Sequence, residues 1–188
     1  MEKYVLVNKG NISKIIDTII NETNPDINGI VIFKDIKLHR LSRILKRKRI
    51  KLDYRLPLVI TKKHIYTDIR TNGIIKGKNV NYHSIGKDRF IMSLTRINNP
   101  DIIFKTKRGI VEAITIKDIH NNPIIITIIL GEKIYNTNIE ANIISSIYGK
   151  KSFIKYITGK EIIYKKSGIA LSSTTVDTTY TLNITNEL

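Results

Sequence analysis

The stretch that decides the fold is PIIITIIL, residues 123–130, in which isoleucine and threonine fill six of eight positions. A nearly continuous apolar run that is rich in β-branched residues is typical of a strand buried on both faces. Similar runs surround it: DIIFKTKR (101–108), GIVEAITIKDI (109–119) and NIEANIISSIY (138–148). Turn-like RG, HNN and GEK to NTN segments separate these runs. This half of the chain therefore predicts an antiparallel meander.

The chain before Pro100 instead carries mostly helical periodicity. Apolar residues recur at helical spacing in NISKIIDTIINE (11–22), with Asn11 as the cap, and again from Asp35 to about Lys51. Two further helices are predicted over KKHIYTDIRTNG (62–73) and GKDRFIMSLTRINNP (86–100). Short strands are predicted at EKYVLVN (2–8), at Ile30–Phe33 and at LPLVIT (56–61). Helices first and sheet second indicate an α+β fold, with N-terminal helices packed on an antiparallel sheet of four to five strands.

A length of 188 residues is enough for one domain with a real core. Residues 1–54 form a helical, basic segment, which either makes its own subdomain or completes the main core. Residues 55–168 contain the predicted core. Residues 169–188 are rich in threonine and predict a final strand or hairpin, or a tail.

Charge is the strongest compositional signal. The chain carries 32 Lys and Arg against 16 Asp and Glu, a net charge of +16. The excess is concentrated between residues 34 and 108, where 34–70 carry +10 and 71–108 carry +6. A cationic surface attracts polyanions, and nucleic acid in particular, because each neutralised phosphate releases counterions. The alternative is a solvated face that reflects a bias towards lysine.

Several classes of protein are disfavoured by composition. The absence of cysteine excludes disulfides, thiolate catalysis and cysteine-ligated metal sites. Four histidines, none spaced three or four residues apart, argue against a structural metal site. We expect no cofactor and no membrane contact, because neither a secretory signal nor an apolar run of membrane-spanning length is found. The expected location is the cytoplasm.

Polar residues interrupt the run ANIISSIYGKKSFIKYI, residues 141–157. Strict strand alternation would place Asn142, Ile144, Ser146 and Tyr148 on one face. Such a strip presents an amide, a hydroxyl and a phenol together, which fits a substrate-facing surface. The alternative is that Ser146 and Tyr148 hydrogen-bond a neighbouring strand or loop.

Together, LPLVIT, NNPDIIF, the meander and NIISSIYGKKSFIKYITGKEIIY resemble the phage-associated branch of the barnase, EndoU, colicin and RelE-like (BECR) nuclease superfamily. Asn142, Ile144, Ser146 and Tyr148, followed by a short helix, Gly159 and Tyr164, match its strand, helix and strand pattern. The resemblance covers about residues 55–168. It implies helices packed on a four-stranded antiparallel sheet, and an origin in phage or polymorphic toxin systems.

The resemblance also implies metal-independent RNA cleavage, in which the 2′-hydroxyl attacks the neighbouring phosphate. That chemistry needs a base, an acid and cations over the developing charge. The residues expected to supply it are His64 as the base, His83 as the second member of an acid and base pair, and Arg70, Ser146 and Tyr148. Nearby cations lower the pKa of a histidine and keep it neutral, which suits His64 beside Lys63.

The chain departs from the family pattern at one position. The family shows histidines in a pattern resembling His-Ile-x-x-x-His, and His64 with Ile65 matches only its first half, because Ile69 stands five residues beyond His64. His64 can equally be a surface residue, and His83 a loop residue before a helix. His39 and His120 are interpreted as structural. A catalytically inactive member therefore remains an alternative.

Eight cationic residues are candidates for contact with nucleic acid, although a solvated role is the alternative for each. They are Arg47, Arg49, Lys62, Lys63, Lys105, Arg108, Lys150 and Lys151. Three functions follow as hypotheses: a metal-independent ribonuclease toxin or effector, a protein that binds RNA or DNA without cutting it, and a phage-encoded protein that docks on and inhibits an acidic host protein. An immunity protein or a host protein is a further possible partner of the first.

Overall fold

The computed structural model describes residues 4–22, 29–70, 74–75, 78–79, 83–107, 109–134, 137–169 and 171. Within them the helices are α1 (Ile12–Asn21), α2 (His39–Lys46), α3 (Lys62–Ile69), α4 (Lys87–Arg96) and α5 (Phe153–Ile157). The strands are β1 (Tyr4–Val7), β2 (Ile30–Phe33), β3 (Leu58–Thr61), β4 (Ile74–Ile75), β5 (Lys78–Asn79), β6 (Ile102–Thr106), β7 (Gly109–Lys117), β8 (Pro123–Lys133), β9 (Glu140–Gly149) and β10 (Ile162–Lys165).

The α+β class is confirmed, but the predicted sheet of four to five antiparallel strands is too small. Eight strands form one sheet in the order β1-β2-β3-β9-β8-β7-β6-β10, and β4 pairs only with β5. The large sheet is mixed, because β1 pairs with β2 in parallel and β3 pairs with β9 in parallel. Strands of four residues carry little periodicity, so their pairing with the meander had no signal in the sequence.

The meander prediction is confirmed for β6, β7, β8 and β9, which pair antiparallel in succession. The run that decides the fold is at the centre of the sheet. Ile124, Ile126 and Ile128 pack in one apolar cluster, and Ile125 packs in another. Because side chains alternate along a strand, these clusters lie on opposite faces of the sheet.

The main apolar core draws on the whole length of the described chain. Ile16 of α1 and Leu41 of α2 lie in the same cluster as Ile114 of β7 and Ile163 of β10. Residues before 55 therefore share a core with the meander. The cluster on the opposite face is smaller and contains Phe153 of α5.

Helix α2 is shorter than the predicted segment from Asp35 to Lys51. Leu41 and Leu45 anchor it in the core, and the chain leaves the helix after Lys46, with Arg49 in the left-handed region at φ 57°. No helix in the described part of the chain has the length and apolar character to cross a membrane. The threonine-rich hairpin predicted after residue 171 lies outside the described residues.

The end of β3 creates the space in which the candidate site lies. β3 pairs with β9 only from Leu58 to Ile60, opposite Asn142 to Ile144. The chain then turns directly into α3, because the Thr61 side chain accepts a hydrogen bond from the backbone N–H of His64 and caps the helix. Helix α3, rather than a strand, therefore faces this edge of β9 beyond Ile144.

Candidate functional site

Asp68 on α3 occupies the open edge of β9. Its Oδ2 atom accepts a hydrogen bond of 2.7 Å from the backbone N–H of Ile147, and the side chain is fully buried. Burial raises the pKa of Asp68 well above its ordinary value, because a carboxylate loses hydration there. The other oxygen, Oδ1, lies 3.7 Å from Nε2 of His83 and has no hydrogen-bond partner among the described residues.

His83 lies in the segment that leads into α4, and backbone hydrogen bonds join this segment to the end of α3. The backbone N–H of His83 donates to the Thr67 carbonyl, and that of Ile85 donates to the Asp68 carbonyl. The His83 ring lies against the Tyr148 ring, with centroids 5.1 Å apart, and its side chain is one third exposed. Burial lowers the pKa of His83, so the ring is biased towards the neutral form.

His64 lies one turn before Asp68 on the same face of α3. Its Nδ1 atom lies 3.1 Å from the Thr61 hydroxyl, a contact that orients the ring. Burial lowers the pKa of His64, and the positive charges of Lys63 and His83 lower it further. Asp68, whose carboxyl faces the His83 ring, follows His64 by four residues on α3, so the two histidines adjoin the same carboxyl-bearing turn of the helix.

A second group of side chains adjoins this pair through Tyr148. The hydroxyls of Tyr148 and Tyr156 are 3.4 Å apart, and burial raises the pKa of Tyr148, which keeps the phenol protonated. Lys150 Nζ lies 4.2 Å from the centroid of the Tyr156 ring and 6.0 Å from that of Tyr148. Lys160 Nζ lies 4.7 Å from the Tyr156 centroid. We call Lys150, Lys160, Tyr148 and Tyr156 the lysine–tyrosine cluster.

The expectation that Asn142, Ile144, Ser146 and Tyr148 share one face is wrong. The pairing of β8 and β9 shifts between Thr127 and the next residue, so Ser145 forms a β-bulge. As a result, Ile144 and Ile147 both pack in the main core, whereas Tyr148 packs against the opposite cluster.

The polar residues before and after the bulge, Asn142 and Ser146, lie in different surroundings. Buried Asn142 is structural, because its Nδ2 donates to the Asp53 carbonyl and its Oδ1 accepts from the Gly131 N–H. Ser146 is half-buried and lies opposite Thr127 in the sheet. Its hydroxyl therefore shares a face with Tyr148 rather than with Asn142.

Two predicted residues of α3 are engaged with the N-terminal part of the chain. Arg70 Nη1 donates to the carbonyl of Ile20 at 2.6 Å, and the guanidinium lies over the Tyr66 ring at 4.9 Å. Lys62 forms an ion pair of 3.1 Å with Glu22, and its side chain is only 13% exposed. These contacts hold α1 against α3 and engage both cations with the N-terminal part of the chain.

The remaining predicted cations are dispersed. Lys63 and Lys151 are both exposed. In the sequence, Lys63 immediately precedes His64, and Lys151 immediately follows Lys150 of the lysine–tyrosine cluster. Lys105 is on β6, three strands from β9. Arg47 and Arg49 belong to the connection from β2 to β3, which begins and ends at the opposite end of β3 from His64. Arg108 lies outside the described residues.

A cavity of about 420 Å³ lies at that opposite end, between α1, α4 and the ends of β1 and β2. Val7, Phe33 and Leu94 are among its lining residues. Its lining contains no histidine, and its charged residues are Lys9 and Asp35.

Sequence reasoning missed four residues of this site: Thr61, Asp68, Tyr156 as a partner of Tyr148, and Lys160. For Asp68 a signal existed. It is the sole acidic residue between Asp53 and Asp88, and it stands four positions after His64 in a predicted helix. Lys160 had no comparable signal, because only the fold brings it over Tyr156.

Across the described ranges, no group of three or more His, Asp and Glu side chains is placed to hold a metal ion. Comparisons with protein-family models, with curated proteins and with solved structures give no match.

Proposed function

We propose that the protein is a metal-independent endoribonuclease that cleaves RNA by attack of the 2′-hydroxyl on the adjacent phosphate. The observation that carries this proposal is the arrangement of His64 and His83 around Asp68 at the open edge of β9. His64, with its lowered pKa, can serve as the base, and His83, whose Nε2 faces the buried Asp68 carboxyl, can serve as the acid.

In this reaction His64 is the base. Its Nε2 takes the proton of the 2′-hydroxyl while the oxygen forms a bond to phosphorus. The lowered pKa of His64 keeps the ring neutral, and therefore able to accept the proton, near neutral pH. Thr61 holds the ring through Nδ1, so the base is oriented before the substrate arrives.

His83 is the acid, with Asp68 as its positioning residue. As the bond from phosphorus to the 5′ oxygen breaks, the leaving oxygen receives a proton from the His83 ring. The buried Asp68 carboxyl retains a proton more readily than an exposed one, and its Oδ1 faces Nε2 of His83. The proton on Nδ1 of the ring can thus go to the leaving oxygen while Nε2 takes the proton of the Asp68 carboxyl, which becomes a carboxylate. The products are a 2′,3′-cyclic phosphate and a 5′-hydroxyl end.

Charge develops on the phosphate oxygens in the transition state, and the lysine–tyrosine cluster, whose Lys150 Nζ lies 6.0 Å from the Tyr148 centroid, contributes positive charge beside the histidine pair. This assignment replaces Arg70, whose guanidinium is engaged with α1. A role as a toxin or effector of phage or mobile-element origin, acting in the host cytoplasm, follows from the resemblance to the BECR nucleases and belongs to the same proposal.

The test is incubation of the protein with total RNA in the presence of a chelator. We expect His64→Ala and His83→Ala each to slow cleavage about 10²–10⁴-fold, the usual contribution of a general acid or base. The matched control is His120→Ala, because His120 is exposed in the turn between β7 and β8. Cleavage that persists in both site variants, or products without a cyclic phosphate, would contradict the mechanism.

A second candidate function is binding of nucleic acid without cleavage. It is favoured by Lys150 and Lys160, because no carboxylate in the described chain lies within ion-pair distance of either. In that case the wild type binds RNA with steep salt dependence but leaves it intact. Docking on an acidic host protein remains the third alternative, and a selective protein partner in a pull-down would favour it.

A further inference from the structure

We propose that the lysine–tyrosine cluster is a second phosphate site, which binds the phosphate next to the scissile one in a single-stranded RNA. This inference rests on the proposed ribonuclease function and names its substrate class. It assigns to Lys160 and Tyr156 a role in holding the substrate rather than in the chemical step.

The cations of this cluster are held in place by an aromatic ring. Lys150 and Lys160 both direct their ammonium groups at Tyr156, at 4.2 and 4.7 Å from its centroid. A cation is attracted to the face of an aromatic ring at such distances. The lysine side chains are therefore partly ordered before a ligand arrives, which reduces the entropy lost on binding.

The charge of the cluster is not neutralised within the described structure. Two ammonium groups on one ring repel each other, and the ion pairs found elsewhere in the described residues include neither of them. Glu161, the next residue after Lys160, is exposed and forms no ion pair with it. A phosphate bound between the two lysines would relieve the repulsion.

The phenols add a hydrogen-bond donor at the same place. One hydroxyl hydrogen is used between Tyr148 and Tyr156. The hydrogen of the other hydroxyl is left to donate to a phosphate oxygen. An ammonium pair with an adjacent O–H donor matches the chemistry of a phosphodiester, which offers charged oxygens and no donor.

The position of the cluster relates it to the reaction. Tyr148 contacts the His83 ring on one side and the Tyr156 hydroxyl on the other. A strand of RNA with its scissile phosphate at the histidine pair would therefore continue towards α5 and place its next phosphate between Lys150 and Lys160. A dinucleotide lacks that phosphate, so the preferred substrate is a longer single strand.

The experiment compares Lys160→Ala with Lys155→Ala. Lys155 is the matched control, since it is an exposed lysine on α5 immediately before Tyr156. A short single-stranded deoxyoligonucleotide, which lacks the attacking 2′-hydroxyl, measures binding by fluorescence anisotropy over a range of salt concentrations. Cleavage of an RNA dinucleotide and of a longer RNA oligonucleotide measures substrate preference.

We expect Lys160→Ala to weaken binding of the deoxyoligonucleotide several-fold and to reduce the slope of log affinity against log salt by about 0.7, the value of one phosphate contact in a single strand. It should also raise KM for the longer RNA by a larger factor than KM for the dinucleotide. Tyr156→Phe keeps the ring under the lysines and should show a smaller loss of affinity. Lys155→Ala should match the wild type.

Equal effects of Lys155→Ala and Lys160→Ala would overturn the proposal, since they would show a general effect of surface charge. An unchanged slope in Lys160→Ala would overturn it as well, even if the wild type cleaves RNA. Conversely, an enzyme that leaves RNA uncut but binds the deoxyoligonucleotide through Lys160 would refute the ribonuclease function and support the phosphate site.

Discussion

The side chain of Asp68 hydrogen-bonds the backbone N–H of Ile147, a residue 79 positions later in the chain. One carboxyl group thereby occupies the place that a neighbouring strand would take on this edge of β9. The same group faces His83 with its second oxygen. Asp68 therefore has two roles: it satisfies a backbone N–H at the edge of β9, and it contacts the candidate catalytic pair. Substitutions at Asp68 can separate these roles.

Asp68→Asn should retain an acceptor for the Ile147 N–H but lose the carboxyl proton that faces His83. We expect RNA cleavage to fall at least tenfold and the pH dependence of kcat to change, with little effect on stability. Asp68→Ala also leaves the buried N–H without a partner, which should cost about 1–3 kcal/mol of unfolding free energy. Urea unfolding and a pH profile of cleavage check both. Equal activity in Asp68→Asn and wild type would remove Asp68 from the mechanism.

The pH dependence of activity should reveal the lowered pKa of His64. Because His64 acts as the base, cleavage rises with pH as the ring loses its proton, and this acidic limb should lie below the ordinary histidine value of 6.5. Lys63→Ala removes one cause of the lowering, so the limb should move to higher pH at low salt.

The control for this shift is Lys14→Ala, an exposed lysine on α1. It changes the net charge of the protein by the same amount without a charge beside His64. An identical shift in both variants would indicate an effect of overall charge rather than of Lys63.

Glu112 on β7 predicts a distinct dependence of stability on pH. It is fully buried, neither carboxyl oxygen has a hydrogen-bond partner among the described residues, and burial raises its pKa well above the ordinary 4.5. The folded protein therefore binds this proton more tightly than the unfolded chain. Its contribution to stability is full below pH 4.5 and is lost as pH rises through the folded-state pKa.

Glu112→Gln removes this titration. Between pH 4.5 and the folded-state pKa of Glu112, the unfolding free energy of the variant relative to wild type should rise with pH, by up to about 1.4 kcal/mol for each pH unit. Asp68 contributes a change of the same sign, which remains in the variant. Urea unfolding at several pH values measures the difference, with Glu140→Gln, an exposed residue at the start of β9, as the control. A constant difference across the pH range would contradict the raised pKa.

Gly149 should resist substitution because Asp118 lies against it. A methyl group at Gly149 would overlap the Asp118 carboxyl, which accepts hydrogen bonds from His120 and Asn122 and so holds the turn between β7 and β8. We expect Gly149→Ala to cost about 1–3 kcal/mol in thermal or urea unfolding.

Gly10→Ala is the comparison for Gly149→Ala, because the added methyl group makes only ordinary contact with Asn8 there. In addition, the double variant with Asp118→Ala should cost less than the two single changes together, since the clash is relieved. Additive costs would indicate that the two residues do not interact.

Most of the helices and strands can be predicted from residue patterns in the local sequence alone. Examples are the helical spacing of isoleucine in α1, the Asn and Pro residues that follow α4, and the runs of β-branched residues in β7 and β8. Each pattern is typical of either a helix or a strand, or marks where one ends. Charge and residue types also indicated His83 and Tyr148, whose ring centroids are 5.1 Å apart, and His64, which lies one helical turn before Asp68.

Only the tertiary structure decided the pairing of β3 with β9, the bulge at Ser145 and the position of Lys160 over Tyr156. These features depend on contacts between residues that are distant in the chain, and a four-residue strand or a single extra residue leaves no period to recognise. Register in turn sets which face each side chain takes. The register of the strands therefore determines the candidate site, whereas the local sequence predicts the helices and strands that contain its residues.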